Sequence, residues 1–144
     1  VEAGCREALA AAKAMSERLE HLNRTLSQDL PAPLRIGIGI HTGPAIVGEM
    51  GYGHAVSVTA VGDSVNTASR LEGLTKTYDS ELVVSEAVVT RAGVDLDAAP
   101  RHEIEIRGRV EKLAVRLLAS ARDLPDLAAA RRPAAPTPER VVAS

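Results

Sequence analysis

Residues 34–43, LRIGIGIHTG, alternate cleanly: Leu34, Ile36, Ile38 and Ile40 fall on one face of a strand, Gly37 and Gly39 on the other. Glycine weakens a strand, so two of them on one face mark a close approach by another backbone or by a ligand. The remaining composition narrows the fold further. Tyr52 and Tyr78 are the only aromatic residues, and 24 of the 144 residues are alanine. A core here has to be assembled from Ala, Val, Ile and Leu.

The pattern before this strand is helical. Over residues 1–30, Cys5, Ala8, Ala12, Met15, Leu19, Leu22 and Leu26 recur three and four apart, one apolar stripe that stops near Pro31 and Pro33. The stripe fits a helix lying on a sheet, and also a heptad seam for a partner helix. Residues 45–48 and 54–61 read as strands around a Gly51–Gly53 turn. A helix is expected over 63–76, capped by Asp63 or Ser64, with Val65, Ala68, Leu71 and Leu74 buried. Residues 81–85 read as a strand and 86–92 as a short helix between Ser85 and Gly93. A hairpin, 102–107 and 112–118, follows around Gly108. This order predicts an α+β fold with helices packed on a largely antiparallel sheet.

From about residue 120 the character changes. Pro125, Pro133, Pro136 and Pro138 stand among alanines and charges, so residues 120–144 are expected to be an Ala/Pro-rich tail with little to bury. Residues 1–119 then form one domain. A helical pattern already running at Val1, without an initiating Met, suggests a piece of a longer chain.

Several function classes are disfavoured. The net charge is −2, so no global basic field calls for nucleic acid as a partner. No run approaches the ~18 apolar residues of a membrane span. A single cysteine, Cys5, excludes an intrachain disulfide and a cysteine-built metal centre. It suits a reducing compartment, and a cytoplasmic location is expected. On the apolar stripe Cys5 reads as a core residue.

The chemistry concentrates in residues 56–72, VSVTAVGDSVNTASRLE. A strand ends, Gly62 turns the chain and a helix begins. Its free N–H groups and positive dipole can receive phosphate. Asn66 and Arg70, four apart, share a face offset from the apolar stripe. Arginine suits charge building on phosphate oxygens, and asparagine can donate a hydrogen bond to a ribose or phosphate oxygen. Spacing alone also allows a plain cap and a surface charge.

Three ordered blocks carry a more specific signal: GIGIHTGPAIVGEMG at 37–51, TAVGDSVNTASRLE at 59–72 and IEIRGRVEKLAV at 104–115. Together they resemble the class III nucleotidyl cyclases, the adenylyl and guanylyl cyclase catalytic domain, over roughly residues 1–119. The resemblance implies a ferredoxin-like core. It also implies a homodimer with the active site between the two copies, and conversion of ATP to 3′,5′-cyclic AMP and pyrophosphate. Two aspartates on one face hold Mg²⁺ or Mn²⁺ in such enzymes, and the other face stabilises the transition state.

Carried onto this sequence, Asn66 matches the asparagine that orients the ribose, and Arg70 the arginine that stabilises the pentavalent phosphate. Thr59 stands where many adenylyl cyclases read adenine with an aspartate. Its hydroxyl can accept from the adenine amino group, but can also donate. Arg107 matches a lysine that binds the terminal phosphates, with Arg109 its rival. The two metal aspartates and the base-reading lysine belong to segments that precede the first helix, and no residue here replaces them. The chain therefore reads as the C-terminal half of a cyclase domain, with no metal site of its own. Little or no activity is expected from it alone. Any sensor or membrane domain would lie upstream.

Other readings stay open. A guanylyl cyclase differs at the missing lysine position. A degenerate cyclase-like module would only dimerise or sense nucleotide, and an interaction module would use the first helix. The cluster Arg101, Arg107, Arg109, Lys112 and Arg116 reads either as a solvated strand face or as a triphosphate cradle. His41 could touch phosphate from a His–Thr–Gly turn, or could serve the fold.

Overall fold

The structure is a computed structural model and describes residues 2–127. The elements are α1 (Glu2–Thr25), β1 (Ile38–Ile40), β2 (Ile46–Tyr52), β3 (Ala55–Val61), α2 (Asp63–Thr77), β4 (Leu82–Ser85), α3 (Glu86–Ala92), β5 (Arg101–Ile104) and β6 (Leu113–Leu118), then a 3₁₀ turn at Ala121–Asp123. Four strands form a sheet in the order β1-β4-β6-β5. The fold is α+β, as the sequence predicts, but the sheet is mixed. β1 runs parallel to β4 because the α2 crossover joins them, while β4–β6 and β5–β6 are antiparallel.

Helices cover both faces of the sheet. Leu82, Val84 and Leu118 pack with Leu9 of α1, Val88 of α3 and Leu124 in one core cluster. Val83, Val115, Leu117, Ile104 and Ile106 pack around Leu71 of α2 in the other. All four β4 residues are buried, as befits a strand covered on both sides. The buried core residues are aliphatic apart from Cys5 in the first cluster, and Tyr78 packs half-buried against the second.

The glycines of the first strand face α2. A β-carbon on Gly39 would collide with the Glu72 backbone nitrogen and lie 2.5 Å from the Ala68 carbonyl oxygen. Gly37 and Gly43 meet side chains instead: a β-carbon on Gly37 would collide with the Thr75 hydroxyl, and one on Gly43 would sit 2.9 Å from Ser64 Cβ. At Gly39 the close approach is by a helix backbone. It also corrects the expected stripe of α2. Ser64, Thr67, Leu71 and Thr75 are buried, whereas Val65, Ala68 and Leu74 are half-buried. Small polar residues face a glycine-lined strand because larger ones would hold the helix away.

Other boundaries shift for identifiable reasons. β1 is limited to Ile38–Ile40 because β4 begins at Leu82, opposite Ile38, and residues 34–37 have no ladder partner. Asn23 instead fixes Leu34, donating from Nδ2 to its carbonyl at 2.9 Å and accepting its N–H at 2.8 Å. On α1 the buried residues are Cys5, Leu9, Ala12 and Ser16, while Met15 and Leu22 are exposed. The helix packs against α3, the 3₁₀ turn and β1, and beyond Ser16 its stripe is only partly covered, with Leu19 and Leu26 half-buried. The N-cap of α2 is Gly62, with no side-chain cap, rather than Asp63 or Ser64. Ser64 instead donates to the Pro44 carbonyl at 2.5 Å.

Packing continues past residue 119. Ala121 and Leu124 are buried, and Lys13 Nζ donates to the Leu124 carbonyl at 2.6 Å. Residues 128–144, most of the expected tail, lie outside the described residues.

β2 and β3 pair only with each other, from Ile46↔Val61 to Tyr52↔Ala55, and form an arm separate from the main sheet. Both its faces are open: Ile46 and Tyr52 on one, Val47 and Val58 on the other, are all more than half exposed.

Candidate active site

Gly62, at φ 148°, turns the chain out of the arm and into α2, a backbone position that favours glycine. Val65 and Asn66 donate their N–H groups back to the Gly62 carbonyl at 3.1 and 3.2 Å, closing the first turn. Asn66 and Arg70 follow on the exposed side of α2. Leu71, beside Arg70, is fully buried and ties this stretch of helix to the core. Arg70 is thus presented by a rigid element.

The second contributor is the connection between β5 and β6. Ile106 is buried, and Arg109 N–H donates to its carbonyl at 3.0 Å across a turn with Gly108 at φ 87°. Arg107 and Arg109 flank that glycine and point to the surface. A cleft of about 510 Å³ is lined by Arg70 from α2 and by Arg107, Arg109 and Lys112 from the connection, with Glu105 and Glu111 among them. The motif blocks of α2 and the hairpin therefore meet in space.

The four cations of the cleft are not equivalent. Arg109 donates from Nε and Nη2 to a single oxygen, Asp63 Oδ2, at 3.0 and 2.5 Å. Lys112 Nζ stands 3.9 Å from Glu105 Oε1. Among the described residues, Arg70 and Arg107 form no ion pair. Two positive charges in this cleft are left without a protein counter-ion, a suitable receptor for a polyanion.

Thr59 and Asn66 do not line this cleft. Thr59 is half-buried on β3, opposite Gly48, with its hydroxyl 3.4 Å from that of Ser57. It lies on the arm, on the other side of the Gly62 turn from Asn66.

His41 sits at the end of β1. Its Nδ1 lies 2.9 Å from the hydroxyl of Ser85, which is fully buried. Burial lowers its pKa below the ordinary imidazole value. The positive fields of Arg109 and Arg91 add to this, and Asp63 opposes it. Arg91 in turn donates to Thr42 Oγ1 at 3.0 Å.

The described residues do not fit a divalent cation. Among them no three His, Cys, Asp or Glu side chains converge. Asp63 is engaged by Arg109, and Asp79 by Arg35 at 2.6 Å. No helix among them is long and apolar enough to cross a membrane.

Sequence reasoning missed the role of Asp63. The sequence marks it only as a cap candidate, and the structure places it as the acidic residue of the first turn of α2. Nothing local marks it as the partner of Arg109, since the two meet only through the fold.

Known proteins resemble this chain over most of its described length. The family described as "Adenylate and Guanylate cyclase catalytic domain" matches residues 3–119. "Adenylate cyclase 1" of Rhizobium meliloti is 39% identical over 108 residues, 75% of this chain and 16% of that protein. "Adenylate cyclase" of Anabaena cylindrica is 33% identical over 116 residues, 75% of this chain and 23% of that protein. "Retinal guanylyl cyclase 2" of Rattus norvegicus is 37% identical over 79 residues, 55% of this chain and 7% of that protein. The chain thus spans less than a quarter of the length of these curated relatives. Among solved structures, the guanylyl cyclase Cya2 superposes with a TM-score of 0.64 at 25% identity, over 83% of this chain and 59% of that one. The adenylyl cyclase CyaB from P. aeruginosa superposes with a TM-score of 0.59 at 28% identity, over 82% of this chain and 62% of that one. Sequence and backbone lead to the same place: the chain belongs to the adenylate and guanylate cyclase catalytic domain family.

Proposed function

We propose that this chain is the transition-state half of an adenylyl cyclase catalytic domain. The protein carrying it converts ATP to 3′,5′-cyclic AMP and pyrophosphate at an interface between two copies. The observation that carries the reading is the cleft lined by both Arg70 and Arg107, neither of which forms an ion pair among the described residues. Names of relatives point the same way, since the Rhizobium and Anabaena proteins are called adenylate cyclases.

In this reading the ribose 3′-oxygen attacks the α-phosphorus in line and pyrophosphate leaves. Charge builds on the equatorial oxygens of the α-phosphate as the fifth bond forms. Arg70, held on α2, donates to those oxygens and stabilises the transition state more than the ground state. Asn66, one turn earlier, donates to a ribose oxygen and fixes the angle of attack. Arg107 pairs with the terminal phosphates and favours departure of pyrophosphate. Thr59 accepts from the adenine amino group. Mg²⁺ or Mn²⁺, held by another part of the domain, would activate the 3′-hydroxyl. No step is assigned to a metal on this chain, and the chain alone is expected to be inactive.

A guanylyl cyclase is the second reading. The Ser57 and Thr59 hydroxyls can each donate as well as accept, so they suit guanine O6 and N1–H too. The likeness to Cya2 and to the retinal guanylyl cyclase adds to it.

The test is a cyclase assay on the full-length protein with Mn²⁺ and either ATP or GTP. Cyclic AMP from ATP, reduced about a hundredfold or more in Arg70→Ala, is the expected result. Cyclic GMP alone selects the second reading. No cyclic product from either nucleotide sinks both and leaves a nucleotide-sensing or dimerisation module.

A further inference from the structure

The sequence offers two arginines, Arg107 and Arg109, for one phosphate-binding role, and the structure treats them differently. Arg109 spends its guanidinium on Asp63 at the start of α2, through two donors at 3.0 and 2.5 Å. Its backbone N–H closes the turn onto Ile106. Arg107, two residues away, makes no ion pair among the described residues and lines the same cleft as Arg70. The β5–β6 connection otherwise touches the body through Ile106, which is buried, whereas residues 107–112 are all exposed.

We propose that Arg109 is a positioning residue: by pairing with Asp63 it pins the 107–112 turn to the N-terminal end of α2 and holds Arg107 in register with Arg70. Phosphate recognition then falls to Arg107, and Asp63 assists it although its own charge repels the ligand. This rests on the reading of the cleft as a polyphosphate site.

That last feature fixes the sign of the test. If Arg109 were itself a phosphate ligand restrained by Asp63, removing the carboxylate would free a cation and delete a negative charge, and binding would tighten. If Arg109 positions Arg107, the same change loosens the turn and binding weakens. The exposed ion pair adds little stability. Its effect is to order a turn that few other contacts order.

The experiment uses the whole 144-residue chain and inorganic tripolyphosphate as probe. Affinity is read by calorimetry, and amide exchange of residues 105–112 by mass spectrometry. Arg107→Ala is expected to weaken binding roughly tenfold with exchange unchanged. Arg109→Ala and Asp63→Asn are both expected to weaken binding severalfold and to speed exchange of the turn. The reversed pair, Asp63→Arg with Arg109→Asp, restores slow exchange and most of the affinity. Tighter binding by Asp63→Asn, or failure of the reversed pair to restore either readout in a folded chain, overturns the proposal. Binding that depends on Arg70 and Arg107 but ignores Asp63 and Arg109 overturns it while leaving the cleft assignment intact. No binding by the unaltered chain removes both.

Discussion

Gly39 lies against the backbone of Glu72, where a β-carbon would sit 2.5 Å from the Ala68 carbonyl oxygen and 2.9 Å from Glu72 Cα. The obstacle is helix backbone, which cannot swing aside as a flexible side chain would. Gly39→Ala should therefore push α2 off the sheet and cost about 2–3 kcal/mol. Gly48, on β2, has nothing within 4 Å of the same position, and Gly48→Ala should change stability by less than about 0.5 kcal/mol. Urea unfolding of the two variants checks the contrast. Equal losses would mean that strand propensity, rather than helix approach, sets the need for glycine.

Arg116 ties three segments together. From β6 it donates to Glu86 of α3 at 2.9 and 3.3 Å, and to the carbonyls of Leu96 at 3.2 Å and Ala99 at 3.1 Å. Its side chain is only 11% exposed. Arg116→Lys keeps the charge but cannot make this fan of bonds. It should lower the melting temperature by on the order of 5 °C and speed amide exchange in the 93–100 connection. An unchanged exchange pattern there would show that the connection is held by Leu96 burial alone.

His41 makes stability pH-dependent in a defined direction. Its folded-state pKa is lowered, mainly by burial, from the ordinary value near ~6.5. The unfolded chain then binds the proton more readily than the folded one. The contribution is fully present above about pH 6.5 and is lost as pH falls through the lowered folded value. Urea midpoints at pH 7.5 and pH 5.5 should fall apart less in His41→Gln than in the unaltered chain. An equal pH dependence in both would remove His41 as a source of it.

The arm formed by β2 and β3 exposes apolar residues on both faces, and a lone two-stranded hairpin is only marginally stable in water. The chain is expected to self-associate through it. Val58→Lys, at a residue 71% exposed, should shift sedimentation toward monomer while the main body melts as before. A monomeric unaltered chain at high concentration would count against the expectation.

Periodicity and punctuation, read residue by residue, yielded the element order, the hairpin turn near Gly53, the αL cap at Gly93 and the aliphatic core. They also marked Gly37 and Gly39 as a site of close approach, because a missing side chain is visible in the sequence itself. The motif blocks placed Asn66, Arg70 and Arg107 in view for the same reason: each is a local string.

The tertiary structure decided what local strings cannot carry. It turned α2 so that Ser64, Thr67 and Thr75 are buried in preference to Val65 and Leu74, since distance to a glycine-lined strand, not hydrophobicity, set which residues fit. It set the arm apart from the sheet, because strand pairing depends on which backbone edges come together. It brought Asp63 to Arg109 and, among the described residues, left Arg70 and Arg107 without an ion pair, because an ion pair depends on separation in space and Asp63 and Arg109 are far apart in the chain.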